Sequence, residues 1–383
     1  MTDAMRITRI GAENVRAIGK IDLALAPLTV ILGPNGVGKS TLLQIARTFA
    51  GLDDKNRFIK CFAGWGGFPA SVRYNTSGAR NSMGIGVSKG NQQHQYLIRF
   101  MREGAGFFVE AETLRSTFDA KRQFEEVLSR DDTTAVLTTS RGVFHKVELH
   151  GASPFLADFR HELPQIDSLL EAAKRTTLWA AHEFQPAQRA HSPQQLQQTT
   201  GPSSDGSTLF SALYSLKTER RERYSELVEA LQSAIPELEE LEFPLAGAGH
   251  VSLAWKQSNF AVPFFSNQLS DGILRFLFLV TILHTAPDDG LLLLDEPEIS
   301  LHPRWLMLLA SLLRKATSKT NILVATQSSE LVRWLKPEEL VIANATPEGT
   351  TFTPATSKPD LNRWLEDFTL SELWLMGELG GRL

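Results

Sequence analysis

The chain has one cysteine, Cys61, in 383 residues. A single thiol excludes an internal disulfide and fits a reducing compartment, the cytosol. Long apolar runs are missing too. The most apolar stretch, Ile273 to Leu283, is eleven residues long and holds Arg275. That is too short to span a bilayer and reads as a buried helix. The start, Met1-Thr2-Asp3-Ala4-Met5-Arg6, has no apolar signal core. Positive charge is not in excess: 39 Lys and Arg against 43 Asp and Glu leave a net charge of −4. Any contact with nucleic acid or an anionic membrane must therefore come from a local patch. No heptad pattern runs beyond a few turns, so no long coiled coil is available. No internal repeat is visible. What remains, 42% hydrophobic and 21% charged residues, is the composition of a soluble globular protein. Its length allows roughly two to three domain-sized units, or one large elaborated domain.

Against these absences one stretch stands out. Gly33-Pro34-Asn35-Gly36-Val37-Gly38-Lys39-Ser40-Thr41 matches G-x-x-x-x-G-K-[ST] at every defined position. The apolar run Leu28-Thr29-Val30-Ile31-Leu32 leads in, and a helical pattern (Leu42, Leu43, Ile45, Ala46, Phe49) leads out. Strand, glycine loop and helix N-terminus make a ring of backbone N–H groups at the positive end of a helix dipole, which cradles phosphates. Lys39 is expected to reach the β- and γ-phosphates of ATP, and the Ser40 hydroxyl to ligate Mg²⁺.

A second motif is Leu291-Leu292-Leu293-Leu294-Asp295-Glu296. Four apolar residues ending in two acids put the carboxylates at the C-terminal tip of a central strand, where α/β sheets bind ligands. Asp295 suits a Mg²⁺ role through water, and Glu296 suits polarising the water that attacks the γ-phosphate. A third element, Asn267-Gln268-Leu269-Ser270-Asp271-Gly272, precedes the buried helix. Ser270 is its expected N-cap, and Gly272 lets backbone approach a ligand.

The rest of the chain organises around these motifs. Residues 5 to 50 read as strand, strand, loop, helix, with Arg6–Ile10 and Lys20–Leu25 alternating. Between 84 and 150, short β-type runs (Tyr96–Phe100, Gly106–Glu110, Ala135–Thr138, Val143–Leu149) predict an antiparallel lobe. From Pro154 to Leu241 the pattern is helical, with Tyr224, Leu227, Val228, Leu231 and Ile235 on one face. Ser192–Ser207 reads as a mobile loop from its Gln, Ser, Thr and Gly content. From Val251 the α/β pattern returns: Leu291–Leu294 and Ile322–Ala325 are apolar without alternation, as parallel strands buried on both faces are. The tail carries Trp364, Leu365, Phe368, Leu373, Trp374, Leu375 and Met376. The expected division is 1–153, an N-terminal ATPase lobe; 154–248, a helical insertion; 249–345, a C-terminal ATPase lobe; and 346–383, a helical tail.

Taken together, Gly33–Thr41, Leu269-Ser270-Asp271-Gly272, Asp295-Glu296-Pro297-Glu298-Ile299-Ser300-Leu301-His302-Pro303 and Ala325-Thr326-Gln327-Ser328 resemble an ABC-class ATPase. The Glu-Pro-Glu-x-x-Leu-His-Pro form resembles the soluble AAA family ATPase branch near the overcoming-lysogenisation-defect (OLD) nucleases and RecF/SMC-like proteins. The opening Asn14–Leu23 and, more softly, the ending Leu370–Gly381 are similar to that branch as well. The resemblance implies an α/β P-loop head of ABC type with an antiparallel β lobe and a helical insertion. It also implies a head-to-tail homodimer, open to higher oligomers, with Ser270 and Gly272 contacting the γ-phosphate held by the other subunit. Asn35, Gly36, Gly38, Lys39, Ser40 and Thr41 would hold ATP, and Ser40 with Asp295 the Mg²⁺. Ser300-Leu301-His302 would pass between the two sites. The family's switch histidine is replaced by Gln327, which bonds a phosphate but carries no proton charge, so hydrolysis is expected to be slow. Arg16 is either the family's arginine near the nucleotide or a surface arginine after a strand. Gln185 is the candidate for the glutamine that follows the first helix in such enzymes.

Other residues point less sharply. His182 and His191 are nine apart with no further ligand clustered near them, which argues against a metal site there. Lys217, Arg220, Arg221 and Arg223 alternate with Glu219 and Glu222, the mark of a solvated helix face more than of a phosphate contact. Functionally, a complete ATP site without a second catalytic constellation predicts an ATPase. The resemblance makes it a cytoplasmic sensor or assembly subunit working with a separately encoded effector, a nuclease or toxin, in anti-phage defence. The resembling nucleases carry a metal domain after the ATPase, and the roughly 40 residues after the Ile342 strand are too few for one. The alternative is a RecF-like DNA-repair clamp, which leaves a contact with DNA open. A transporter subunit fits less well, because 231 residues separate Lys39 from Ser270, far more than transporters place there.

Overall fold

The computed structural model describes residues 4–73, 81–103, 106–117, 124–131, 134–139, 142–148 and 154–381. Besides two small sheets of three strands each, the described residues build a main sheet of 14 strands. In chain order these are β1 (Arg6–Val15), β2 (Ile18–Ala24), β3 (Leu28–Leu32), β4 (Asn81–Lys89), β5 (Gln92–Glu103), β6 (Gly106–Thr117) and β7 (Phe124–Arg130). They continue with β8 (Thr134–Thr139), β9 (Gly142–Glu148), β10 (Thr176–Ala180), β11 (Leu291–Asp295), β12 (Asn321–Thr326), β13 (Leu340–Thr346) and β14 (Gly349–Pro354). Across the sheet the order is β10-β11-β12-β3-β13-β14-β2-β1-β4-β5-β6-β7-β8-β9. The first five strands are mutually parallel, and from β1 to β9 every pairing is antiparallel. A single parallel pair, Ile18 with Thr350, joins β2 to β14. The α/β P-loop head with an antiparallel lobe expected from the sequence is the architecture observed.

The parallel half explains its own apolar runs. Every residue of β3, β11 and β12 is buried. Because side chains alternate along a strand, the runs split between two cores. Val30, Leu32, Leu292, Leu294, Ile322 and Val324 face one core. Ile31, Leu291, Leu293, Leu323 and Ala325 face the other. Helices α1 (Lys39–Thr48), α2 (Lys55–Ala63) and α3 (Pro164–Lys174) cover the second face. Helices α4 (Leu209–Glu219), α5 (Arg221–Ala234), α6 (Asp271–Thr285) and α7 (Pro303–Ala316) cover the first. Only a sheet covered on both sides tolerates strands with no polar face.

The antiparallel lobe follows the expected runs, with Val143–Glu148 inside β9 and Leu149 outside the described residues. It wraps an aromatic cluster in which Phe62 meets Phe100 and Phe107 at ring separations of 5.8 and 5.1 Å. Under it lies a buried ion pair, Arg130 to Glu112 at 2.7 Å. Glu112 also accepts from the Tyr96 hydroxyl at 2.8 Å and from the Phe155 and Leu156 amides. Burial pushes the Glu112 carboxyl upward, and the Arg130 charge opposes that shift.

Two expectations are corrected. The region read as helical from 154 contains β10, which pairs in parallel with β11 and forms the edge of the core sheet. Five residues between two helical patterns are too few for a period to declare itself. The Ser192–Ser207 loop, read as mobile, is pinned by the buried Gln194. Its amide nitrogen donates to the carbonyls of Arg189 (2.7 Å) and Gly206 (2.8 Å), and its oxygen accepts from Phe210 N (2.8 Å). Composition signalled polarity there, and the fold used that polarity for internal hydrogen bonds.

Candidate functional site

The parallel register aligns the strand tips. Asp295 pairs with Ala325 on one side and Ala180 on the other, and Thr326 pairs with Leu32. The loops after β3, β10, β11 and β12 therefore leave from one edge. The loop after β3 turns through Gly36 and Gly38, at φ 76° and 96°, conformations that a Cβ disfavours. Gly38 is the N-cap of α1, and no side chain caps that helix. Its first N–H groups are thus left for an anion.

Lys39 is buried, and its ammonium donates to the carbonyls of Gly33 (2.8 Å) and Pro34 (2.9 Å). Burial lowers its pKa, while the charges of Glu296, Asp295 and Glu298 act the other way. A cavity of about 740 Å³ opens over the loop, bounded by residues 35–41 and by Arg16, Arg73, Glu296 and Thr350. The Thr350 hydroxyl donates to the carbonyl of Val37 and ties the loop to β14. Arg16 thus lines the pocket. Its guanidinium donates to Ala70 O (3.1 Å), Gln44 Oε1 (3.2 Å) and Trp65 O (2.7 Å) and lies over the Trp65 ring.

At the tip of β11 the two acids diverge. Asp295 is buried, its carboxyl is pushed upward by burial, and the Ser40 hydroxyl bonded to it opposes the shift. Its Oδ1 has no hydrogen-bond partner. An orphaned buried carboxylate oxygen beside a serine hydroxyl is an oxygen donor set that fits a hard divalent cation. Glu296 takes φ 51°, and its N–H donates to Ala325 O at 2.8 Å. That left-handed turn carries its side chain out of the strand and onto the cavity wall. Non-glycine residues adopt this conformation at a cost that surrounding contacts must hold in place.

Ser270 and Gly272 do not line this cavity. Ser270 caps α6, its Oγ accepting from Ile273 N at 3.3 Å, as expected. The reading of Gly272 is refined: a Cβ there would lie 2.9 Å from the Ser300 carbonyl. In the single chain this glycine admits the Ser300-Leu301-His302 turn, whose Ser300 sits at φ 63°. His302 caps α7 through Arg304 N at 3.2 Å. Gln327 is exposed at the turn after β12 and is not on the cavity wall.

Several residues with a place near the site were missed or set aside. Gln185 is exposed, at the N-terminus of the short helix Pro186–Arg189, and lines neither this cavity nor its neighbour. His182 instead comes beside Ser40 and Asp295, around an adjoining cavity of about 630 Å³. The signal that would have found it is β10, whose tip lies next to Asp295. No cluster of three or more metal-ligating side chains occurs among the described residues, and His191 faces Asp271 at 3.6 Å. Lys217 is paired with Glu240 (3.0 Å) and Arg223 with Asp288 (2.8 Å), the solvated-face reading. No described helix is long and apolar enough to cross a membrane.

The family model described as "AAA domain, putative AbiEii toxin, Type IV TA system" matches residues 28–333, and the chain belongs to that family. A 38-residue stretch is 50% identical to an OLD nuclease of Thermus scotoductus, covering 10% of this chain and 7% of that nuclease. Among solved structures the chain is similar to the SMC head domain from Thermotoga maritima, at TM-score 0.42 and 13% identity over 91% of this chain and 98% of that one. It is similar to the SmcHead bound to the C-winged helix domain of ScpA at 0.49 and 10%, over 91% and 97%. A third is the Pyrococcus furiosus Smc head domain bound to the C-terminal domain of ScpA, at 0.47 and 9%, over 95% and 100%. The family match puts the chain among the AAA-domain proteins, and the nuclease stretch is a local likeness to an OLD nuclease.

Proposed function

We propose that this member of the AAA-domain family binds Mg·ATP at the Gly33–Thr41 loop and closes head to tail with a second copy around it. It hydrolyses ATP slowly, as a cytoplasmic sensor or assembly subunit with a separately encoded effector, a nuclease or toxin, in anti-phage defence. The observation that carries the ATP half is the convergence of Lys39, Ser40, Asp295 and Glu296 at two aligned strand tips and one uncapped helix start. The family description, which names a putative toxin of a Type IV TA system, supports a partnered role.

The geometry supports a division of labour. The loop amides and Lys39 bind the phosphates, and Arg16 and Thr41 border the same space. Ser40 and Asp295 would hold the magnesium ion, which supplies positive charge against the phosphate oxygens. Glu296 orients and deprotonates the attacking water. Ser270 and Gly272 lie off the cavity of their own chain, which supports the reading that they serve a partner's γ-phosphate. Gln327 lies off this chain's cavity wall and would reach a phosphate only across the dimer, where an amide changes no charge, in accord with slow turnover. We retain the four-part division 1–153, 154–248, 249–345 and 346–383, with β10 lying inside its second part. Lys217 on α4 and Arg223 on α5 are paired with Glu240 and Asp288, which weighs against their meeting DNA phosphates as the RecF-like alternative would ask.

The test is Glu296→Gln. Turnover is expected to fall about 100-fold or more, while ATP binding persists and an ATP-dependent dimer accumulates in light scattering. Wild-type turnover by this variant, or a monomer at saturating ATP, would overturn the reading. The effector half is tested by whether the product of the neighbouring gene co-elutes.

A further inference from the structure

Glu298 lies two residues past Glu296, in the turn that follows β11. Its Oε1 accepts the Thr326 hydroxyl at 2.5 Å, and the backbone amides of Gln327 and of Glu298 itself favour its ionised form. Thr326 Oγ1 in turn accepts from Ser328 N at 2.9 Å, and Ser328 Oγ accepts from Leu331 N at 3.1 Å to cap the helix Ser329–Val332. One carboxyl group therefore ties the turn carrying Glu296 to the turn carrying Gln327. Its other oxygen, Oε2, is buried without a partner. Glu298 is not on the wall of the nucleotide cavity, so it acts through what it holds. The charged groups that act with it are Glu296 on its own turn and Lys39 on α1.

We propose that Glu298 is a positioning residue whose charge state sets how firmly the Gln327 turn is held against the Glu296 turn. This gives nucleotide turnover in this chain a proton switch. The physical reason is the strength of the bond it accepts from Thr326, with the Gln327 amide beside it. Bonds to an ionised acceptor are roughly twice as strong as neutral ones. Ionised, Glu298 clamps the Thr326 hydroxyl and the Gln327 amide; protonated, it holds both weakly. Burial pushes this carboxyl up to about 7, the Thr326 hydroxyl opposing the shift and Glu296 adding to it. The exchange therefore falls near neutral pH. Gln327, an amide, cannot supply such a response itself.

The turnover half rests on the ATPase reading above; the clamp half does not. The experiment is hydrogen exchange of the Gln327–Leu331 amides in the full chain without nucleotide, at about pH 6 and about pH 8, corrected for intrinsic rates. Protection is expected to fall about 10-fold at the lower pH in the wild type and to be pH-independent in Glu298→Gln. The kcat for ATP should show an acid limb near neutrality that Glu298→Gln flattens, with KM changed less than about 2-fold. Thr326→Val, which keeps the carboxyl and removes a bond that favours its ionised form, should move that limb to higher pH, and it serves if Glu298→Gln does not fold. Exchange that is pH-insensitive in the wild type, or equally sensitive in Glu298→Gln, overturns the clamp. The expected exchange in a chain that never turns over ATP sinks the ATPase reading and leaves the clamp standing. An unchanged kcat profile in Glu298→Gln overturns the switch.

Discussion

Two buried acid sites in this molecule contrast. In the antiparallel lobe, Glu112 is enclosed completely and every part of it is used: Arg130, the Tyr96 hydroxyl and the amides of Phe155 and Leu156 all donate to it. At the tip of β11, Asp295 and Glu298 are enclosed as well, yet each keeps one oxygen without a partner. A folded chain normally satisfies its buried polar groups, because an orphan costs free energy. The lobe shows that this chain can build a closed network where structure is the purpose. Of the two orphans, Asp295 Oδ1 lies beside the Ser40 hydroxyl and suits a cation, whereas Glu298 Oε2 lies off the nucleotide cavity.

The contrast can be broken or sharpened by substitution. The largest effect is expected in the lobe. Glu112→Ala leaves the Arg130 charge buried and should cost about 3–5 kcal/mol of folding stability, read by urea denaturation; a loss below about 1 kcal/mol would show that the network is not structural. Next is Lys39→Ala, which should weaken ATP binding about 100-fold, about 2.7 kcal/mol, in a nucleotide titration. Binding within about 3-fold of wild type would remove the phosphate role.

The smallest effect has the opposite sign. The folded state raises the Asp295 carboxyl from its ordinary 3.8, so it binds that proton more tightly than the unfolded chain does. Its contribution to stability is present below the ordinary value and is lost as pH rises through the raised one. In metal-free buffer at neutral pH, Asp295→Asn should therefore stabilise the protein, read as a small rise in Tm. The gain should shrink as the pH approaches the ordinary carboxylate range. Destabilisation at neutral pH would mean that Asp295 is a satisfied structural acid like Glu112.

How much was legible depended on what kind of signal each part sends. The Gly33–Thr41 loop, β11, β12 and the buried helix α6 announce themselves through local runs and caps, and the structure has them where the sequence reads them. β10 was lost between helices, because Thr176–Ala180 is too short to show a period, and His182 was lost with it. Glu298 sat in view inside a quoted motif, but nothing local says that its partner is Thr326, on the next strand over. Gly272 was read as room for a ligand, and within one chain the room belongs to Ser300. Gln194 looked like part of a slack polar loop because a sequence lists polar groups without saying what they bond.

The sequence alone determined the strands with no polar face, the glycine loop that leads into an uncapped helix, and the acids placed at a strand's end. These follow from chemistry between neighbours a few residues apart. Tertiary structure alone decided which strand tips align and which buried oxygen finds a donor. It also decided that the turns carrying Glu296 and Gln327 share one carboxyl. Those outcomes depend on register between segments far apart in the chain, and register is fixed only when the parallel half of the sheet packs between its two layers of helices.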